Sequence, residues 1–557
     1  MHSKDFLKCF SSESILLAWE RVLSSVGTDA KDYFGISVFS SNLQKHLDEL
    51  QKNIVNGDYA PKIPFKYFEP KVNGTQRTKT VLNIEDAIVY QAIANHIAEF
   101  SFDYLSETRS FVFGSVLSAD VKKGTKLLTE DDKIDFYFFE YYVSLYNRFV
   151  QRINETVDKG AIQFRLETDI TSFFDTIPHS TLIIELNEFD VDKEILQLFS
   201  NCLNFWSGTR DSTTIGVGIP QGPAASYFFA NIILDSLDRL AMENGMTYFR
   251  FMDDIRIYDS NKKNLNSALI LFARHLKSKS LSINIKKTSI QKVKHSTEEK
   301  GRLLDSSGIK VKKNNKSTEI DIDIFEHNSS QISGDEEKNI TALSKTNAAY
   351  LYNEALIDIE DELIEIFNDT RYDDTSDSIF KSDVKLVRKF LTLAQKWRLI
   401  TKNLIDLEKR KPDEKMVEIW LFGISRIYWK ANNLIWNLTY YENLENHYAD
   451  FNKLFVEFDD YEWVKYQLLA VYGKTINFNK NKIKTIVTKI NNDKSPLVRL
   501  GYYQMLIEQI KSNTQIIDSI SVLIKKEPET YVQNTVLNLI QKKHLNVSID
   551  ILKSWFL

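Results

Sequence analysis

Apolar residues recur at three- and four-residue intervals through Val384–Ile400, Lys415–Leu438 and Tyr461–Val471, the spacing of helices that bury one face. Ser495-Pro496-Leu497-Val498 adds a cap residue and a proline at the first helical position. The pattern differs upstream. Arg165-Leu166-Glu167-Thr168-Asp169 alternates polar and apolar positions and predicts a strand that delivers Asp169 to its end, before an aromatic turn at Phe173-Phe174. Tyr248 to Tyr258 sets apolar residues on both sides of Asp253-Asp254 and predicts a β-hairpin with the acidic pair at its tip. Between these segments, Gly218-Ile219-Pro220-Gln221-Gly222-Pro223 reads as a glycine-rich loop feeding a helix.

Turn residues follow the same division. Fifteen of 18 glycines and six of nine prolines precede residue 335, so the first part is mixed α and β and the last part all-helical, an irregular HEAT-like stack of helical hairpins. The expected organisation is a helical extension over 1–60, a core over 61–293, a polar linker or insertion over 294–345 and a helical-repeat domain over 346–557. Residues 286–316 carry ten Lys or Arg against three acidic residues, which reads either as a phosphate-attracting stretch or as a solvated linker. The first half of Glu354–Ser378 reads as the exposed face of a helix.

Composition narrows the classes. With 43% hydrophobic and 12% aromatic residues in 557, the chain is globular and large enough for two or three domains. Ser212–Leu234 is uncharged and long enough to span a bilayer, but three glycines and two prolines exclude a membrane helix. The start of the chain lacks the apolar run of a signal peptide, so a cytoplasmic setting is expected. Cys9 and Cys202 are too few for a disulfide framework or a four-thiolate zinc site and read as buried small residues. A net charge of −5 argues against a protein that coats nucleic acid without selectivity. No His-Glu-x-x-His, Cys-x-x-Cys or Walker loop occurs.

Acidic pairs alone mean little, since Asp131-Asp132, Asp373-Asp374 and Asp459-Asp460 also occur and suit surface turns or helix starts. Asp253-Asp254 differs in its strand-like surroundings and in following both an Asp-bearing strand and a Pro-Gln-Gly loop. Three such carboxylates brought together would repel one another unless hard cations bound, and Mg²⁺ prefers carboxylate and phosphate oxygens.

In this order the three segments resemble motifs A, B and C of reverse transcriptases, with Phe251-Met252-Asp253-Asp254 at the Tyr/Phe-x-Asp-Asp position and Met252 where Ala is common. Leu281 to Thr288 resembles motif D. Pro70 to Arg77 with Ile84 to Ala87 resembles the fingers region, and Ser110 to Ser115 fits the next fingers motif more loosely. The resemblance, covering about residues 60–290, implies an α+β right-hand fold of fingers and palm. It implies two Mg²⁺ per site, with Mn²⁺ as substitute, held by Asp169, Ile170, Asp253 and Asp254, and catalysis by the three aspartates through in-line displacement. It further implies dNTP contacts from Lys71, Arg77, Phe174, Gln221, Gly222 and Lys287. Phe174 would exclude a ribose 2′-hydroxyl, and Lys287 would be either a proton donor to pyrophosphate or a solvated charge. Asp175 reads as the cap of the following turn.

A polymerase core joined to a helical C-terminal part is similar to the abortive-infection group of bacterial reverse transcriptases. That resemblance implies antiphage defence, DNA synthesis primed from a protein tyrosine with little or no template, a single-stranded DNA product attached to that tyrosine and a homo-oligomer. Tyr350, Tyr352, Tyr428, Tyr440, Tyr441, Tyr472, Tyr502 and Tyr503 are available, and each also suits helix packing. The alternatives are an RNA-templated enzyme copying a dedicated non-coding RNA and a non-catalytic RNA-binding scaffold. Retention of three carboxylates that repel one another weighs against the scaffold.

Overall fold

A computed structural model describes residues 2–25, 32–129, 136–159, 162–208, 210, 215–293, 342–370, 383–406, 415–441, 444–475, 478–510 and 516–543. Most of residues 286–316 and of the expected linker, and the pairs Asp131-Asp132 and Asp373-Asp374, lie outside these, as do the side chains of Tyr350 and Tyr352. The chain forms two compact units, one of residues 1–309, 489–503 and 510–557, the other of residues 310–488 and 504–509.

The first unit opens with helices α1 (Lys4–Cys9), α2 (Ser12–Ser24), α3 (Tyr33–Ser41) and α4 (Leu43–Asn56). Ser3, Ser11 and Asp32 cap the first three by accepting bonds from amides of their first turns. The hairpin β1 (Phe65–Pro70) and β2 (Gln76–Val81) follows, then α5 (Ile84–Ser106), capped by Asn83 and buried along most of its length. Cys9, Trp19, Tyr90, Phe199, Cys202, Phe229 and Ile255 belong to one apolar cluster, so the N-terminal helices share a core with the sheet below. Burial pushes both cysteine thiols up, as expected of packing residues rather than nucleophiles.

The second sheet is antiparallel, in the order β4-β5-β3-β6, from β3 (Phe164–Thr168), β4 (Thr247–Phe251), β5 (Asp254–Asp259) and β6 (Ser289–Lys292). One face packs on α10 (Ala224–Glu243) and α11 (Lys262–Ser278) through Leu166, Ile255, Ile257 and Tyr248, which share a cluster with Ile233, Leu237 and Phe272. The other carries Phe249, Phe251 and Tyr258 against α6 (Tyr142–Asp158), whose Tyr146 and Phe149 rings lie 5.1 and 5.7 Å from that of Phe251. Within the same unit the helix Thr530–Lys543 returns to α3, and Tyr531 stacks on Phe65 at 4.1 Å.

The described residues from 342 onward are helical, without strands. Ser495 caps the helix Pro496–Glu508, its hydroxyl accepting from the Val498 amide at 3.3 Å. Helix Ala342–Thr370 begins inside the expected linker. Over Lys415–Leu438, where the apolar spacing predicts helix, helix Lys415–Arg426 is followed by short helical segments at Tyr428–Lys430, Ala431–Ile435 and Trp436–Tyr440. Ile427, Tyr428, Ala431, Leu434, Ile435 and Leu438 are buried across the break and keep the three- and four-residue spacing of one helix face. Tyr428, Tyr441, Tyr472, Tyr502 and Tyr503 are buried as packing residues. Among the described residues no helix is long and apolar enough to cross a membrane.

Candidate active site

Strand alternation and register assemble the carboxylates. Thr168 lies opposite Ile255, so continuing that antiparallel register by one residue sets Asp169 against Asp254. Asp253 occupies the two-residue turn between Phe251 and Asp254, where Met252 takes a left-handed φ of 55°. The motif D segment braces the same end. The Asn284 amide donates to the Asp169 carbonyl at 2.8 Å, the Thr171 amide to the Ser282 carbonyl at 2.9 Å, and Ile170 pairs with Ile283. Burial raises the Asp253 pKa, the charges of Asp169 and Asp254 raise it further, and Lys287 opposes them.

Two cations meet this charge. Lys287 donates to Asp169 Oδ2, and Arg256 donates to Asp254 Oδ2 at 2.9 Å while lying 3.5 Å from Glu167. With the carboxylates turned to these partners, no group of three acidic, His or Cys side chains among the described residues stands in metal-holding geometry. The donor set nevertheless suits a hard cation. Asp169 Oδ1 is buried without any hydrogen-bond donor, and an orphaned carboxylate oxygen beside two further carboxylates is what Mg²⁺ satisfies.

The nucleotide-side candidates approach from two directions. Lys71 lies at the β1–β2 turn, where its amide donates to the Thr75 carbonyl at 2.7 Å, and Arg77 on β2 faces Glu69 across the hairpin at 3.6 Å. Lys71, Lys66 and Arg77 all act on Asp175, opposing the desolvation that raises its pKa. Asp175 thus sits in a cationic surrounding, and it makes no capping bond there. Lys66 is a buried amine that sequence reasoning missed. Desolvation lowers its pKa to about 8, and its Nζ donates to the carbonyls of Ser207 and Gly208 at 2.6 Å each.

The loop of residues 218–223 ties the β1–β2 hairpin to the segment that follows β3. The Thr80 amide donates to the Gln221 carbonyl and the Ile219 amide to the Phe174 carbonyl, each at 2.9 Å. Gly222 takes φ 145°, open to a residue without a side chain. The Phe174 ring is 9% exposed and meets Tyr227 edge-on at 5.3 Å. Lys71, Arg77 and Gln221 are half-buried, and the Lys287 side chain is exposed apart from its bond to Asp169.

Sequence reasoning missed a buried network behind the hairpin. Arg250 bonds Asp238 on α10 through Nε at 2.8 Å and through a terminal nitrogen at 2.5 Å, and also reaches Asn231 Oδ1 and the Met252 carbonyl at 2.9 Å. Residues 110–115 run alongside. Phe111 and Phe113 exchange backbone bonds with Arg250, and a side chain on Gly114 would place its Cβ 2.2 Å from the Met252 nitrogen. A cavity of about 40 Å³, room for about one water, lies between this network and Arg109, Val116 and Phe228. The available signal was an arginine in a strand otherwise apolar, which demands a buried partner.

Residues 70–320 match the family model described as reverse transcriptase (RNA-dependent DNA polymerase). That stretch of the chain is therefore similar to reverse transcriptase domains. It is 26% identical over 231 residues to the putative COX1/OXI3 intron 2 protein of Saccharomyces cerevisiae, a match covering 40% of this chain and 23% of that protein. The chain thus spans less than a quarter of the length of that curated relative. Among solved structures, telomerase from Candida albicans in complex with a fragment of telomeric RNA matches at 12% identity, covering 77% of this chain and 70% of that one, with a TM-score of 0.31. Apo telomerase from Candida tropicalis matches at 11% identity over 75% and 74% of the two chains, with a TM-score of 0.29.

Proposed function

We propose that this chain is a DNA polymerase of reverse-transcriptase type that adds deoxynucleotides at Asp169, Asp253 and Asp254. The observation that carries the reading is the register that sets Asp169 against Asp254 with Asp253 at the adjoining turn, inside the matched domain. Mg²⁺ held by these carboxylates would supply Lewis-acid stabilisation of charge on the phosphate oxygens. Lys71 and Arg77 neutralise the triphosphate, and Phe174 closes the space that a 2′-hydroxyl would need. In this reading Lys287 and Arg256 hold Asp169 and Asp254 between turnovers.

The finer reading is a bacterial abortive-infection enzyme that primes from one of its own tyrosines and acts against phage as a cytoplasmic homo-oligomer. It rests on the resemblance of a palm core joined to a helical, HEAT-like C-terminal part. A tyrosine hydroxyl suffices as acceptor if held within about 3–3.5 Å of the α-phosphate. A second reading, RNA-templated synthesis on a dedicated non-coding RNA, is favoured by the RNA-dependent activity in the description of the matched family. Purified protein is incubated with Mg²⁺ and labelled dNTPs, and the products are analysed under denaturing conditions with and without protease. Label that stays on the polypeptide, vanishes in Asp253→Asn and shows no complementary RNA supports self-priming. Free cDNA matching a co-purified RNA supports the second reading. No incorporation at all, with Mg²⁺ or Mn²⁺, overturns both and leaves the scaffold.

A further inference from the structure

The acidic turn is a strained element with an unusually complete support. Met252 adopts φ 55°, a region that residues with side chains occupy only when their surroundings over-determine it. Those surroundings are specific. Side-chain alternation sends Arg250 to the face opposite Phe251, where it is 1% exposed. There its guanidinium takes both oxygens of the equally buried Asp238, with Tyr248 donating to the same carboxylate at 2.7 Å. The remaining nitrogen spans Asn231 Oδ1 and the Met252 carbonyl. Asn231 continues the chain of bonds, donating to the carbonyls of Gly114 and Ser115 at 2.9 and 3.1 Å.

A buried ion pair adds little to stability when compared with an apolar replacement of the same volume, whereas its fixed geometry can specify an arrangement. The planar fork of Arg250 serves four acceptors at once, both Asp238 oxygens, Asn231 Oδ1 and the carbonyl two residues ahead, whereas the three N–H groups of a lysine would leave one without a donor. We propose that Arg250 is the positioning residue of the acidic hairpin. Anchored by Asp238 on α10 and by Asn231, it pins the Met252 carbonyl and so sets where the Asp253 carboxylate stands. The same bonds make segment 110–115 a mechanical neighbour of the turn, so displacement of that segment is transmitted to Asp253. The catalytic meaning of the clamp rests on the polymerase reading; its existence as a clamp does not.

Hydrogen–deuterium exchange of the metal-free full chain tests it, followed on the peptide covering 247–258 and on β3 as an internal reference. Asn231→Ala removes one anchor without leaving a buried charge unpaired, and Arg250→Lys removes the fork. Both should speed exchange in the hairpin about tenfold, the scale of losing a bond to a charged group, and leave β3 unchanged. Asn231→Asp keeps the acceptor for Arg250 and should fall closer to wild type. In the incorporation assay the variants should need more Mg²⁺ for half-maximal rate and lose kcat, with the KM for dNTP little changed. Hairpin exchange that is indifferent to Asn231→Ala in a folded protein overturns the clamp, even if Arg250→Lys fails to fold. Responsive exchange in a wild-type protein without nucleotidyl transfer keeps the clamp and removes the polymerase reading. An active wild type with unresponsive exchange does the reverse.

Discussion

Gly114→Ala tests how tightly the acidic turn is held, because the added methyl has no room. Its Cβ would stand 2.2 Å from the Met252 nitrogen, 2.9 Å from Met252 Cγ and 3.0 Å from Met252 Cα, whereas ordinary contact begins at 3.4 Å. The turn or segment 110–115 must therefore move by about 1.2 Å, and the nearest atom is backbone, which cannot swing aside. Overpacking of this kind costs about 1–3 kcal/mol of folding stability, so the variant should still fold with a lowered melting temperature. Activity should fall much further, because a misplacement of about 1 Å at reacting groups costs on the order of 10²-fold. Steady-state incorporation of dNTPs with Mg²⁺ should show the loss mainly in kcat, beside a single cooperative melting transition. A Gly114→Ala enzyme within about twofold of wild type would refute the reasoning, since the hairpin could then move by that distance without consequence.

Asp253→Asn should abolish incorporation and raise the melting temperature of the metal-free protein at neutral pH. The raised Asp253 pKa means that ionisation there costs folded-state stability, so the gap to wild type should open as pH rises through the acid range and close again at low pH. A neutral-pH melting temperature lower than wild type would refute that sign. Asp86, held by Tyr59, Trp206 and the Lys62 amide, has its pKa raised by burial to about 6 against an ordinary 3.8. Wild type should therefore lose stability, on the order of 3 kcal/mol, relative to Asp86→Asn between about pH 4 and pH 6, read by denaturant titration. A flat difference across that window would show that the carboxyl is not desolvated as described. Phe174→Ala opens the space beside Tyr227 and should raise incorporation of ribonucleotides relative to deoxynucleotides in competition assays. An unchanged ratio would remove Phe174 as the gate.

The elements that present the acidic site were legible because each is local. Period-two alternation marks β3, apolar residues on both sides of the acidic pair mark the β4–β5 hairpin, and glycine and proline mark the loop before α10. Charge partners were not legible, because packing decides them. Arg250 meets Asp238 only through the placement of α10 beneath β4, and Arg256 meets Asp254 and Glu167 only through strand register. Lys287 looked like one lysine in a basic run, and its bond to Asp169 depends on the Ile170–Ile283 pairing. Residues 110–115 matched their motif weakly because their task is to supply backbone carbonyls and a missing side chain, which leave little trace in residue type. The break after Arg426 was hidden for a different reason: the buried residues on its far side, Ile427, Ala431, Leu434 and Leu438, keep the apolar periodicity of a helix, so the pattern carries no trace of it.

The stack of Tyr531 on Phe65, with helix Thr530–Lys543 lying on α3, closes the first unit by joining residues far apart in the sequence. The hairpin that carries Lys71 and Arg77 begins at Phe65, so during synthesis its supporting surface is missing until Thr530–Lys543 has been made. Chains that stop before Thr530 would expose the Phe65 ring and the matching face of α3, which gives quality-control factors a way to tell them from chains that have passed that point.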